Sequence, residues 1–151
     1  MEILKNKYND ALAALKTLER AIEKSNKFNR ADKTKFLIEG LFDSADDVDE
    51  SLRDIMLKRF EFSYETFWKF LKDYLEKGQG IALMVKSPRE AFRAACQARI
   101  TDELETDIAM KMIDSRNSTI HLYKEEMAIK IRAQIPLYHN LMVTILKRIK
   151  I

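Results

Sequence analysis

Apolar residues recur every three or four positions along most of this 151-residue chain. Because an α-helix turns about 100° per residue, this spacing places them on one face of a helix. Between residues 25 and 43 the periodicity weakens, and we expect at most a short helical piece there, around Phe36–Ile38. Elsewhere the pattern predicts five helices, over residues 2–24, 44–77, 88–98, 101–116 and 120–150.

Turn-forming residues are scarce, with only three glycines and two prolines in the chain. Sheets need frequent turn residues, so this composition favours a few long helices joined by short loops. A chain of this length is enough for one domain of ordinary size. We therefore expect a single all-α domain spanning residues 1–151, an up-and-down four-helix-type bundle with an extra short helix.

Several residues mark the predicted helix ends. Ser87, Pro88 and Glu90 form a start signal, because the serine hydroxyl can accept from the amide three residues on, proline fits the first helical position and glutamate can reach back to the cap amide. Gly78 suits the left-handed conformation that follows many helices. Pro136 lacks the amide of a regular helical turn, so we expect a kink in the last helix.

The predicted second helix holds seven of the fourteen aromatic residues of the chain. Most of them form one stripe, and Phe62 and Phe70 fall on other faces. A helix that is apolar on more than one side is either central in a bundle or part of a subunit interface. Packing in the core explains most of these rings, and the other two favour a homodimer whose seam lies partly at this helix.

Apolar residues make up 46% of the chain and charged residues 34%, a balance typical of a folded, soluble protein. The net charge of +3 permits RNA binding without indicating it. Cys96 is the single cysteine, which excludes a disulfide within the chain, and its alanine neighbours favour a buried residue over a reactive thiol. The sequence has neither a membrane-spanning apolar run nor a signal peptide, so we expect a cytoplasmic protein that does not enter a membrane.

Most signatures of enzymes are absent: there is no glycine-rich phosphate loop, no cysteine and histidine spacing for zinc and no nucleophile elbow. The chain has two histidines, and His139, in the regular part of the last helix, is predicted to be an ordinary packing or surface residue. His121 and Glu125, four positions apart, could share a divalent ion, but such a pair is frequent by chance. We expect neither a metal nor a cofactor.

One stretch, DSRNSTIHLY from Asp114 to Tyr123, gathers the side chains that could carry chemistry. On a regular helix Arg116 and His121 would point about 140° apart, so they converge only if the helix is interrupted. Residues 117–119, which are asparagine, serine and threonine, interrupt helices because their side chains bond to nearby backbone groups. The sequence therefore predicts Arg116 at the end of one helix and His121 at the start of the next.

Arginine and histidine suit the cleavage of RNA, whose 2′-hydroxyl is an internal nucleophile. The reaction needs a proton acceptor with a pKa near neutral, a proton donor for the leaving oxygen and a cation on the phosphate. Imidazole titrates near neutral pH, and guanidinium presents a planar fork to phosphate oxygens. Helix capping by the polar residues, and packing of Tyr123 in the core, explain the same stretch without any chemistry.

The stretch RNSTIHLY resembles the Arg-x4-His-x-Tyr motif of the HEPN superfamily (higher eukaryotes and prokaryotes nucleotide-binding), which consists of all-helical proteins. Three segments together, KRFEFSYETFWKFLKDYLE, SPREAFRAA and DSRNSTIHLYKEE, resemble its branch of nucleotidyltransferase substrate-binding proteins, which is related to the HepT toxins. The resemblance covers most of the chain in the same order. It differs at residues 25–43, which are longer than usual, and at Ile100–Thr101, where relatives more often have a glycine-containing turn.

The resemblance implies a HEPN-like bundle that dimerises with both motifs facing one cleft, and a small nucleotidyltransferase as partner. In toxin-antitoxin pairs of this kind the HEPN protein is a metal-independent RNase, and the transferase neutralises it, in some pairs by adding AMP to the motif tyrosine. By position, the RNA-cleaving pair is Arg116 and His121, Asn117 is the polar residue after the arginine, and Tyr123 is the residue that receives AMP.

Two functional hypotheses follow from the resemblance. In the first the protein is an endoribonuclease toxin that the transferase neutralises. In the second it is a non-catalytic module that presents a nucleotide or another substrate to the transferase. The intact motif favours the first hypothesis, and the name of the branch favours the second.

Overall fold

The structure, a computed structural model, describes residues 1–30, 40–121 and 124–151. In these ranges the chain forms helices and no strands, which confirms the predicted all-α bundle. The short helical piece expected around Phe36–Ile38 lies outside the described residues. The α-helices are α1 (Glu2–Arg30), α2 (Ala45–Asp73), α3 (Pro88–Gln97), α4 (Glu103–Ser118) and α5 (Glu125–Arg148).

Side-chain contacts between α1 and α2 show that these two helices run antiparallel. Near the start of α1 the Lys7 ammonium pairs with Asp73 at the end of α2. Further along α1, Arg59 of α2 donates to the carbonyl oxygen of Thr17 at 3.0 Å. Because later positions in α1 meet earlier positions in α2, the two helices form the up-and-down pair that the sequence predicts.

The helices α4 and α5 are also antiparallel. Arg148 in the last turn of α5 bonds the Glu105 carboxylate at the start of α4. Halfway along α5 the Tyr138 hydroxyl lies 2.8 Å from the Ser115 hydroxyl near the end of α4. The end of α4 and the start of α5 therefore lie at the same end of the bundle, where the chain passes from one helix to the other.

The core lies around α2, whose buried rings face three other helices. Their partners come from α5, α3 and α1: Phe60 stacks on Tyr138 (5.7 Å between centroids), Phe67 on Phe92 (6.1 Å), and Phe70 meets Tyr8 edge-on (5.5 Å). Phe70 faces a different helix from the other two rings, but α1 covers it, so the suggestion that this ring contributes to a subunit seam is wrong. Phe62 does lie outside the core, with 66% of its surface exposed.

Local hydrogen bonds explain where the helices begin and end. The Ser87 hydroxyl accepts from the amide of Glu90 at 3.2 Å, as its sequence signal predicts. The prediction for Gly78 is wrong: it ends a π-helical turn, Tyr74–Gly78, and the left-handed glycine is Gly80, at φ +68°. Gly78 instead leaves room for a ring, since a Cβ there would lie 3.0 Å from Cδ2 of Tyr74.

Two further expectations concern α3 and α5. Cys96 is partly exposed, not buried, because it lies in the last turn of α3 beside the short connection to α4.

Pro136 lies inside α5, which continues past it to Arg148. None of the helices in the described ranges has the length and hydrophobicity that a membrane crossing requires.

Candidate functional site

The polar stretch after Arg116 ends α4 as the sequence predicts. The Ser118 hydroxyl donates to the carbonyl oxygen of Asp114 at 3.0 Å, and the Thr119 hydroxyl donates to that of Arg116 at 2.7 Å. The Thr119 amide also bonds to the carbonyl oxygen of Arg116, so both hydroxyls add side-chain bonds to backbone carbonyls in the last turn of the helix. A 3-10 turn, Thr119–His121, follows directly. Arg116 therefore lies in the last turn of α4.

The start of the last helix differs from the prediction. The backbone of His121 lies in the 3-10 turn, and α5 begins only at Glu125, so His121 does not start the last helix. The side chain of His121 and all of Tyr123 lie outside the described residues, and their convergence with Arg116 stays a prediction. Asn117 is exposed in the last turn of α4.

Within the part of the chain that the structure describes, the Arg116 guanidinium has one hydrogen bond and one ion pair. Its Nη1 donates to the Thr119 hydroxyl at 3.0 Å, while Nη2 lies 3.8 Å from Oε1 of Glu65, which is too long for a hydrogen bond. Its Nε is buried, and no described residue is its hydrogen-bond partner. Nε and Nη2 form the side-on edge that matches two oxygens of a phosphate or a carboxylate. The edge has the charge to bind an anion, but Nε is closed to solvent and Nη2 pairs with Glu65, so a ligand must displace that carboxylate.

A groove with a volume of about 460 Å³ adjoins Arg116. Its lining comes mainly from α1 and α2, and Phe62 and Glu65 also line an adjoining groove of about 310 Å³. Lys58 and Arg59 bring further positive charge to the first groove. An exposed aromatic ring, cations and an arginine edge thus line one surface.

Carboxylates offset much of the positive charge of this groove. Glu61 lies 3.9 Å from the Lys58 ammonium. Glu65 pairs with Arg116 and, at 3.6 Å, with Lys69, and it accepts from the indole Nε1 of Trp68 at 3.1 Å. The groove is therefore mixed in charge, which suits one phosphate group at Arg116 better than a long run of phosphates.

Tyr64 lies on the buried face of α2, close to the charged groups of Glu65 and Arg116. Burial raises the pKa of its hydroxyl, because a phenolate would lose its hydration, and the Glu65 charge raises that pKa further. The positive charge of Arg116 acts in the opposite direction and is outweighed. Tyr64 therefore stays protonated near neutral pH and is no candidate for the proton acceptor.

His139 is the one histidine whose side chain the structure describes. It is buried, and its Nε2 lies 3.1 Å from the carbonyl oxygen of Leu15 on α1. This contact confirms His139 as a packing residue. Among the described residues, histidine, cysteine and acidic side chains nowhere gather in a group of three or more that could hold a metal ion.

Sequence reasoning missed two residues that contact Arg116. Thr119 belongs to the motif stretch, but a threonine at this position predicts only that the helix is interrupted, not that its hydroxyl accepts from the Arg116 guanidinium. Glu65 lies 51 positions before Arg116, and no local pattern connects them. The sequence does indicate the other contacts of Glu65, because Trp68 and Lys69, three and four residues on, share its helix face. It gives no signal for the contact with Arg116.

The bundle and the arginine-lined groove define an all-α protein with a candidate anion site at one helix end. A model of the nucleotidyltransferase substrate binding protein-like family matches residues 6–151, and the chain belongs to this family. It is also similar to a protein of Thermus thermophilus with a known crystal structure, at 30% identity and a TM-score of 0.70, over 91% of this chain and 97% of that one. A comparison with curated proteins gave no match.

Proposed function

We propose that this protein is the partner subunit of a separate small nucleotidyltransferase and acts as a metal-independent endoribonuclease that the transferase neutralises. The description of the family supports the partnership. The single observation that supports the nuclease is the Arg116 edge beside the groove: among the described residues Nε has no hydrogen-bond partner, and Nη2 has only a long ion pair. The roles of His121 and Tyr123 rest on their place in the sequence motif.

In the proposed reaction His121 accepts the proton of an RNA 2′-hydroxyl, and the oxygen attacks the adjacent phosphorus. The bond from phosphorus to the 5′-oxygen breaks, the leaving oxygen takes a proton from water, and a 2′,3′-cyclic phosphate remains. Arg116 stabilises the charge that develops on the phosphate oxygens through its side-on edge. Neither step requires a metal ion.

Neutralisation by the transferase uses Tyr123. Its oxygen attacks the α-phosphorus of ATP, pyrophosphate leaves, and the phenolic proton passes to solvent. The AMP group then brings a phosphate close to the motif, where it competes with RNA for Arg116. Inhibition by this route needs no change of fold.

A homodimer is part of the same proposal. Phe62 supports it, because this ring is 66% exposed and lines two adjoining grooves, which a second subunit would cover. Phe70 gives no support, since it packs against Tyr8 within the chain.

The proposal is tested by expressing the protein with and without the neighbouring transferase and measuring growth and RNA cleavage. Arg116→Ala and His121→Ala should each reduce cleavage by about 10²-fold or more and relieve growth arrest. Arg93→Ala removes an exposed arginine of α3 and should change nothing. Full activity of His121→Ala, or complete inhibition by EDTA, would rule out this mechanism.

Modification of Tyr123 is tested by mass spectrometry after coexpression with the transferase. The peptide that contains Tyr123 should gain the mass of an adenylate, and Tyr123→Phe should prevent the gain while it retains cleavage. An unmodified peptide in the presence of an active transferase and ATP would leave complex formation as the mode of neutralisation.

The second candidate function is a non-catalytic subunit that presents a nucleotide or another substrate to the transferase. The carboxylates of Glu61 and Glu65 in the groove favour it, because they repel a long polyanion more than a ligand with one phosphate. Calorimetry with mononucleotides and with RNA separates the two functions. Tight binding of a mononucleotide, together with wild-type protein that cleaves no RNA, would favour the second.

A further inference from the structure

Thr119 makes two hydrogen bonds to the same arginine. Its hydroxyl donates to the carbonyl oxygen of Arg116 at 2.7 Å and accepts from Nη1 of Arg116 at 3.0 Å. Thr119 is itself buried, with 6% of its surface exposed. One hydroxyl group therefore ties the backbone and the guanidinium of Arg116 to each other, in a place from which water is largely excluded.

These bonds decide which edge of the guanidinium remains for a ligand. An arginine side chain has many rotamers, and fixing Nη1 removes most of them. Nη2, one of the two nitrogens of the side-on edge, then lies 3.8 Å from Glu65, which lines the groove. Helix capping alone needs only the bond from the hydroxyl to the carbonyl oxygen, so the second bond has no role in ending α4.

The geometry points to Thr119 as the positioning residue of Arg116: it fixes the guanidinium beside Glu65, where a phosphate that displaces this carboxylate meets the side-on edge. The role of that edge in RNA cleavage rests on the proposed function, whereas the restraint of Arg116 by Thr119 does not. Thr119 touches no substrate in this assignment and acts through Arg116.

Three substitutions separate positioning from capping. Thr119→Val keeps the shape of the side chain and removes both hydrogen bonds, and Thr119→Ser keeps the hydroxyl. Thr106→Val is the matched control, because Thr106 also donates to a backbone carbonyl of its own helix region, that of Asp102 at 2.7 Å, at the other end of α4. If Thr119→Val does not fold, Thr119→Ala serves in its place.

The restraint itself is measured by nuclear magnetic resonance of 15N-labelled protein, with the Arg116 Nε–H signal assigned through its loss in Arg116→Lys. This group is shielded from water, so its signal should persist in the wild-type protein. The signal should shift or broaden in Thr119→Val, return in Thr119→Ser and stay unchanged in Thr106→Val. An unchanged Arg116 signal in Thr119→Val would overturn the inference.

The functional consequence is measured with an RNA oligonucleotide that carries 2′-O-methyl groups and cannot be cleaved. Thr119→Val should weaken binding about tenfold, the effect of one hydrogen bond to a charged group. In an Arg116→Ala background the same substitution should have no further effect, because Thr119 acts only through Arg116. A full additional loss in that background would show a role independent of Arg116 and would also overturn the inference.

The two measurements fail in different ways. If wild-type protein binds no RNA and cleaves none, the proposed nuclease function is wrong, and the resonance experiment still decides whether Thr119 restrains Arg116. If RNA is cleaved but Thr119→Val keeps wild-type affinity and activity, the nuclease stands and the positioning role is wrong.

Discussion

The Glu105 carboxylate joins the start of α4 to the end of α5, and its removal should have a measurable cost in stability. Glu105 accepts from Nη1 and Nη2 of Arg148 at 2.6 and 2.7 Å, and from the amide of Asp102 at 3.0 Å. In return the Asp102 side chain accepts from the amide of Glu105 at 2.7 Å, which completes a capping box. Arg148 also donates to the carbonyl oxygen of Ile100 at 3.0 Å.

The size of the effect follows from these bonds and their exposure. Glu105→Gln retains one oxygen that can accept from Asp102, but it loses the charge and half of the two-pronged contact with Arg148. The Arg148 side chain is 45% exposed and that of Glu105 is 18% exposed, so solvent weakens the pair. A surface ion pair with good geometry contributes about 1 kcal/mol. We expect Glu105→Gln to lower the free energy of unfolding by about 1 kcal/mol, or the Tm by about 2–4 °C.

The effect should depend on pH. The hydrogen bonds from Arg148, followed by that from the Asp102 amide, hold the pKa of Glu105 below its usual 4.5, although its burial acts in the opposite direction. A carboxylate with a lowered pKa stabilises the fold above the pKa of the unfolded chain and loses this contribution as the pH falls through the folded value. The difference between wild type and Glu105→Gln should therefore be complete at pH 7 and shrink below pH 4.5.

Urea unfolding at pH 7 and pH 3 measures both effects. Combining Glu105→Gln with Arg148→Met should give a coupling free energy of about 1 kcal/mol. Glu126→Gln, which removes an exposed carboxylate from the first turn of α5, at the opposite end of that helix from Arg148, is the control and should show no coupling to Arg148. A coupling energy of zero at pH 7, or an undiminished difference at pH 3, would refute this account of the contact.

Two further predictions are measured by urea unfolding, and a third by light scattering. Arg99→Gly should raise the free energy of unfolding by about 0.5–1 kcal/mol, because Arg99 has φ +61°, where glycine has no steric cost. Burial raises the pKa of Asp73, but the hydrogen bond and charge of Lys7 outweigh this effect and hold the pKa below 3.8. Asp73→Asn should therefore lower the free energy of unfolding by about 1–3 kcal/mol at neutral pH. This difference from wild type should shrink as the pH falls below 3.8. If Phe62 lies in a dimer seam, Phe62→Glu should convert a dimer into a monomer, as measured by light scattering at micromolar concentration. Leu104→Glu, which also changes an exposed residue, should leave the dimer intact. A monomeric wild-type protein would contradict the dimer.

The predictable part of the fold is the part that local sequence determines. Ser87 and its neighbours give the start of α3 correctly, because the cap needs only residues within one helical turn. The first helix extends beyond the predicted Lys24 to Arg30, since two residues of its last turns are held by other elements. Phe28 is fully buried, and the Ser25 hydroxyl accepts from Arg132 of α5. Such long-range contacts override weak helix propensity and leave no local pattern.

The same division applies to the candidate site. Arg116 and the break after it follow from the motif and from the residue types at 117–119. The restraint of Arg116 by Thr119 depends on side-chain orientations, and its ion pair with Glu65 depends on how the bundle places the end of α4 relative to α2. Hydrophobic periodicity fixes which face of a helix is buried, but it does not fix which polar groups meet across two helices.

The contact between Trp68 and Glu65 gives the site an optical reporter. Trp68 is the only tryptophan in the chain, and its indole Nε1 donates to the carboxylate that also pairs with Arg116. All tryptophan emission therefore comes from an indole that contacts Glu65, the residue that pairs with the arginine of the candidate anion site. A ligand that draws Arg116 away from Glu65 changes the electric field at this indole, and the emission of the unlabelled protein then follows the occupancy of the arginine during a titration.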